Sequence, residues 1–122
     1  MFVGTDIIEV ERIKTAISRG GDFFLKRVFT LSERNKINSL NPDYEKAAGF
    51  WAAKESLVKA IGLGFREGIL FHDAEIYHDV LGRPDFNFHG NLKGIIEKKG
   101  IENISLSISH CRTHAIAVVV IS

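Results

Sequence analysis

Residues 47–61, AAGFWAAKESLVKAI, constrain the fold more than any other stretch of this chain. Ten of the fifteen are apolar, and they are spread around the whole helical circumference. A helix built from them must be largely buried. Asn41-Pro42-Asp43 is suited to open it and Gly62 to end it. Glu55 and Lys59 then fall one turn apart on one face, beside Trp51, Ala52 and Val58. On a polar helix, an exposed ion pair worth about 0.3–0.5 kcal/mol would account for them. Here a buried charge is costly unless it is paired or binds a metal. A functional carboxylate and ammonium are therefore the better reading.

The rest of the chain supplies what this helix packs against. Residues 2–8 read as a strand carrying one intrusive carboxylate, Asp6. Residues 9–19 read as an amphipathic helix with Val10, Ile13 and Ile17 on one side and Gly20-Gly21 as its stop. Residues 23–29 read as a short helix or turn. Thr30-Leu31-Ser32-Glu33 has the capping-box form, so a helix should follow. Beyond residue 72 the pattern changes. Residues 73–80 and 85–88 read as strands joined through Leu81-Gly82-Arg83-Pro84, and residues 91–99 as a helix closed by Gly100. Residues 103–109 and 115–121 read as two further strands. Helices in the first half and strands in the second predict an α+β fold, one domain spanning 1–122, with the helices packed on an antiparallel sheet.

Composition narrows the function classes. The net charge of +1 argues against a dedicated nucleic-acid binder. The charge is uneven, however: residues 12–36 carry +5 and the remainder −4. That basic third suggests a docking face for something acidic, and an acidic protein helix or a nucleic-acid backbone fits it equally well. Cys111 is the only cysteine, which excludes a disulfide scaffold and fits a reducing, cytoplasmic setting. It is expected to be a buried, inert thiol. No apolar run approaches the roughly 20 residues that span a bilayer, and the start of the chain lacks the form of a cleaved leader.

Asp6 alone reads as a helix cap or Asx-turn. Together with Glu55 it becomes a candidate hard-cation site, because two carboxylates plus waters and phosphates are the usual magnesium arrangement. Strand alternation puts Ile104, Leu106, Ile108 and His110 on one face, where His110 reads first as a core histidine. His110, Cys111 and His114 lack the spacing of a zinc site. Gly62-Leu63-Gly64 and Gly68 follow a helix rather than a strand. They are a cap and loop able to approach a phosphate, not a dinucleotide fingerprint.

Taken in order, these residues resemble a family. Gly4-Thr5-Asp6-Ile7, Phe29-Thr30 with Glu33, Trp51-Ala52-Ala53-Lys54-Glu55-Ser56 with Lys59-Ala60-Ile61-Gly62, Gly82-Arg83-Pro84 and Ser107-Ile108-Ser109-His110 resemble the holo-[acyl-carrier-protein] synthase family, the small bacterial 4′-phosphopantetheinyl transferases. The resemblance implies transfer of 4′-phosphopantetheine from coenzyme A to a serine of apo-acyl carrier protein in fatty acid biosynthesis, with release of 3′,5′-ADP. It implies Mg²⁺ on Asp6 and Glu55, catalysis by Glu55 and Lys59, and a homotrimer with active sites between subunits. His110 would contact a coenzyme A phosphate and act with the catalytic pair. Lys59, Gly62 and Gly64 would also lie against the coenzyme. Arg12 falls on the carrier-docking helix, and Arg19, two turns on, presents to the same face. Where many members carry Gly-Arg-Phe, this chain has Gly49-Phe50-Trp51, and Lys46 is placed to make up the missing charge.

Two other readings compete. A metal-dependent nuclease or phosphodiesterase would also use Asp, Glu and Lys, but those sites often pair Glu and Lys across one residue on a strand. A non-enzymatic module for an acidic partner would leave Asp6 and Glu55 without a role.

Overall fold

The computed structural model describes residues 1–65 and 68–122. Strand β1 (Phe2–Glu9) leads into α1 (Val10–Val28), α2 (Leu31–Ile37) and α3 (Tyr44–Ile61). A short 3-10 helix (Phe71–Asp73) precedes the hairpin β2 (Ala74–His78) and β3 (Pro84–Phe88). Helix α4 (Gly90–Lys98) and strands β4 (Ile104–His110) and β5 (His114–Ile121) complete the chain. All pairing is antiparallel, in a three-stranded sheet ordered β1-β5-β4 and a separate β2-β3 pair. The α+β expectation holds. No helix is long and apolar enough to cross a membrane, among the described residues.

Helix α3 is the centre, as its composition demands. Asp43 caps its start by accepting from the Lys46 amide, and Gly62 ends it in the left-handed region at φ 90°. It lies across β1, β5 and β4, and Ser56 Oγ donates to the Ala117 carbonyl at 3.0 Å. Gly4 makes the close crossing possible: a Cβ there would sit 1.9 Å from the Ser56 carbonyl oxygen. Two residues further along the same strand face is Asp6, so the contact that seats the helix also aims that carboxylate at it.

Two expectations need correcting. The first concerns α1. Gly21 breaks its helical geometry (φ 52°, ψ −137°), but the helix resumes and runs to Val28. Leu25 and Val28 are buried and drive the restart, so the glycine makes a kink rather than a stop. The second concerns the buried ion pair of α3. It belongs to Lys54, not to Glu55 and Lys59. Lys54 Nζ donates to Glu33 Oε1 (2.9 Å), the Phe71 carbonyl (2.8 Å) and the Ala74 carbonyl (3.0 Å). Glu33 completes the capping box with Thr30 and accepts from the Ile76 amide at 2.8 Å. Both side chains are fully buried. Burial pulls the Lys54 pKa below its ordinary value, and Glu33 opposes that shift. The pair ties α2, α3, the 3-10 helix and β2 to one point.

Candidate active site

The candidate residues gather in two places, at opposite ends of α3. At its C-terminal half, Lys59 Nζ donates to Asp6 Oδ1 (3.1 Å) and to the Thr5 carbonyl (3.0 Å). The Lys59 side chain is 54% exposed and that of Asp6 15%. Glu55, half-buried beside them, makes no hydrogen bond or ion pair among the described residues. Its pKa is pushed up, first by burial and then by the Asp6 charge, while Lys59 pulls it down. The i,i+4 contact expected between Glu55 and Lys59 is not formed, because the lysine turns to β1. Gly62 lies just beyond, in a cleft of about 370 Å³ that Lys59, Phe2, Lys99 and Ile101 also line. Gly64 follows at φ 65°, in a loop whose residues 66 and 67 lie outside the described residues.

The donor set here fits a hard cation. Asp6, from a different element, raises the cost of charging Glu55, which makes no hydrogen bond or ion pair among the described residues. Oxygen donors of this kind suit Mg²⁺, which takes one or two carboxylates and completes its shell with water and phosphate. Among the described residues no group of three His, Cys, Asp or Glu is arranged to hold a metal, and Asp6 and Glu55 are the two candidates.

The second cluster sits near the N-terminal end of α3. His110 Nδ1 lies 2.9 Å from Glu45 Oε1. Lys46, Phe50, His78, Pro84, Ile108 and His110 line a cleft of about 160 Å³. His110 does share a face with Ile104, Leu106 and Ile108, but at the open end of β4. Its side chain is 47% exposed, so it is not a core histidine. Lys46 and Lys59 are 13 residues apart, roughly 20 Å along a helix axis. One chain therefore does not bring His110 and Lys46 to Asp6, Glu55 and Lys59.

Arg12 and Arg19 are both exposed on α1 before the kink. Cys111 is exposed rather than buried, and the Thr113 hydroxyl beside it lowers its pKa. Glu45 and His78 were missed from sequence, because only the meeting of α3, β2 and β4 places them beside the cleft.

Residues 2–119 match the sequence profile of the 4′-phosphopantetheinyl transferase superfamily. The chain belongs to it. Relatives agree along nearly the whole length. The holo-[acyl-carrier-protein] synthase of Thermoanaerobacter sp. (strain X514) is 47% identical, over 96% of this chain and 83% of its own. That of Verminephrobacter eiseniae is 40% identical, over 96% and 89%. Among solved structures, the holo-[acyl-carrier-protein] synthase of Neisseria meningitidis superposes with a TM-score of 0.90 at 33% identity, covering 99% of this chain and 97% of that one. The Helicobacter pylori enzyme in complex with coenzyme A gives 0.87 at 32%, covering 98% and 99%. As a 4′-phosphopantetheinyl transferase the protein is an enzyme, which sets aside the binding-module reading.

Proposed function

We propose that this transferase moves 4′-phosphopantetheine from coenzyme A to a serine of apo-acyl carrier protein, releasing 3′,5′-ADP, as a Mg²⁺-dependent step of fatty acid biosynthesis in the cytoplasm. The observation that carries the reading is the convergence of Asp6, Glu55 and Lys59 on one edge of an otherwise buried helix. In the reaction, the serine Oγ forms a bond to the pantetheine-side phosphorus. The bond from that phosphorus to the bridging oxygen breaks.

Asp6 and Glu55 would hold the Mg²⁺, which when bound offsets the negative charge of the pyrophosphate and of the transition state. Glu55 also offers a carboxylate oxygen to take the serine proton. Lys59 Nζ spends two of its three N–H groups on Asp6 and Thr5. The third remains for an oxygen of the departing 3′,5′-ADP. Arg12 and Arg19 would steer the acidic carrier, chiefly raising its on-rate.

The active unit in this reading is a homotrimer with sites between subunits. The outer face of the three-stranded sheet leaves Val3 (61%), Ile7 (64%) and Ile116 (43%) exposed, and Ile7 stands opposite Ile116. An uncovered apolar sheet face favours burial against a second copy. Such an interface would also let the Lys46–His110 end of one subunit serve the Asp6–Glu55–Lys59 end of the next.

The test is intact-mass spectrometry of apo-acyl carrier protein after incubation with this protein, coenzyme A and Mg²⁺. The carrier gains one phosphopantetheine with metal present, gains nothing in EDTA, and gains far less with Glu55→Gln. No gain on several acidic carriers, with the enzyme folded, overturns the reading.

A further inference from the structure

Lys59 stands between two carboxylates and holds only one of them. Glu55, one turn before it on α3, is the partner that helix spacing offers. The ammonium instead lies 3.1 Å from Asp6 Oδ1 on β1, with the Thr5 carbonyl at 3.0 Å. Asp6 therefore already carries a cation, and Glu55 carries none among the described residues. Together the three side chains have a net charge of −1, unevenly shared.

The hold on Asp6 is light. The Lys59 side chain is more than half exposed, and its ammonium is kept in place by those two contacts. A flexible four-carbon stem lets it swing, and an exposed ion pair of this kind resists little. Beside it is a cleft of about 290 Å³ that Thr5, Asp6, Ile7 and Ile116 also line, which leaves room for the movement.

A divalent cation approaching Asp6 and Glu55 meets that ammonium, and the like charges repel. Without an anion to receive it, the ammonium must be driven off Asp6 into solvent. A diphosphate arriving without metal meets two carboxylates and is repelled in turn. When both ligands arrive, the ammonium can move to phosphate oxygens and leave Asp6 to the metal. Each ligand then lowers the cost of binding the other, which is a coupling between two sites.

We propose that Lys59 is a displaceable counter-ion of Asp6, and that its transfer from carboxylate to diphosphate couples uptake of the divalent metal to uptake of the coenzyme. The identity of the diphosphate rests on the transferase reading above, whereas the competition for Asp6 does not. Lys59 thus acts before the chemical step as well as on the departing 3′,5′-ADP. It weakens metal binding to the protein alone and favours loading of metal and diphosphate together.

The test uses Mn²⁺, a hard cation that takes the same oxygen donors as Mg²⁺ and whose free form is counted by electron paramagnetic resonance. With metal alone, Lys59→Met binds Mn²⁺ about tenfold more tightly than wild type, within the usual range for coupled sites. Lys59→Arg keeps the charge and shows no gain. Lys99→Met removes a charge from the cleft that Lys59 also lines, without touching Asp6, and gives a far smaller gain. Urea unfolding verifies that each variant is folded. Coenzyme A is then titrated calorimetrically in EDTA and in excess Mn²⁺. The metal strengthens coenzyme binding by a larger factor in wild type than in Lys59→Met, because only wild type has an ammonium to relocate. A folded Lys59→Met protein that binds Mn²⁺ no better than wild type overturns the counter-ion role. So does an equal gain in Lys99→Met, or an equal metal factor in both proteins. If the carrier gains mass in any of those cases, the transferase reading survives without it. If wild type leaves the carrier unmodified while Lys59→Met shows the Mn²⁺ gain, the competition for Asp6 stands and the transferase reading falls.

Discussion

Two of the three lysines of helix α3, Lys54 and Lys59, stand five positions apart, and their surroundings differ in every respect that matters. Lys54 is fully buried and spends three hydrogen bonds on a carboxylate and two carbonyls. Lys59 is more than half exposed, spends two, and shares its carboxylate neighbourhood with an unpartnered Glu55. The first site is closed: every valence is met, and nothing is left to act on a substrate. The second has a spare ammonium proton and a spare carboxylate. Chemistry needs that incompleteness, and a core cannot tolerate it.

Removing one partner of the closed site is the largest expected effect. Lys54→Met strands Glu33 in the interior, and breaking a buried pair in this way costs about 3–5 kcal/mol. Urea unfolding reads it directly. The double variant Lys54→Met/Glu33→Met should recover only part of the loss, because the Thr30 and Ile76 amides lose their acceptor. Full recovery would show that the pair holds nothing but itself.

The open site should respond the opposite way. Glu55→Gln is expected to lower kcat by about 10²–10³-fold, the scale set by loss of one transition-state contact. Its stability should stay within about 0.5 kcal/mol of wild type, as for other changes at partly exposed positions. A Glu55→Gln protein that is as unstable as Lys54→Met would erase the distinction between the two sites.

The sequence distinguishes these two lysines poorly, and the reason is physical. Periodicity reports how much of a helix is buried, and that reading of residues 47–61 held, as did both caps of α3. It does not report which of two adjacent charged positions faces the core. Lys54 is recognisable only once Glu33, 21 residues away, and the carbonyls of Phe71 and Ala74 are in place. The capping box on Thr30 was legible because its partners are three residues apart, yet it gave no sign that the same Glu33 also receives Lys54. The fold brings Asp6, Glu55 and Lys59 together, whereas His110 and Lys46 lie at the other end of the helix. Strand β4 reaches α3 at Gly49, where a Cβ would stand 3.0 Å from Ile108, and no local pattern shows where two elements cross.

Gly4→Ala tests whether the two sites share one support. The added methyl meets the backbone of Ser56 and Ala60, which cannot rotate away, so α3 must lift from β1. Overpacking of this kind costs about 1–3 kcal/mol. Because Asp6 is on the lifted strand and Lys54 on the far side of the helix, activity should fall further than stability alone explains. Assay at a temperature where the variant is fully folded separates the two. Retained kcat there would show that the crossing distance does not set the carboxylate geometry.

The smallest expected effect is in the pH dependence of stability, measured in EDTA. Glu55 has its folded-state pKa raised above the unfolded value. Between those two values the native state holds more protons than the unfolded chain, so stability falls as pH rises through that window. Above it, Glu55 is ionised in both states and its burial beside Asp6 counts against folding. Glu55→Gln removes that penalty. The variant should therefore be slightly more stable than wild type near neutral pH, and the difference should vanish below the ordinary carboxylate range. Added Mg²⁺ should reverse the order by stabilising wild type alone. A variant less stable than wild type at neutral pH without metal would mean that Glu55 is satisfied in the folded chain, and the open site would then be closed as well.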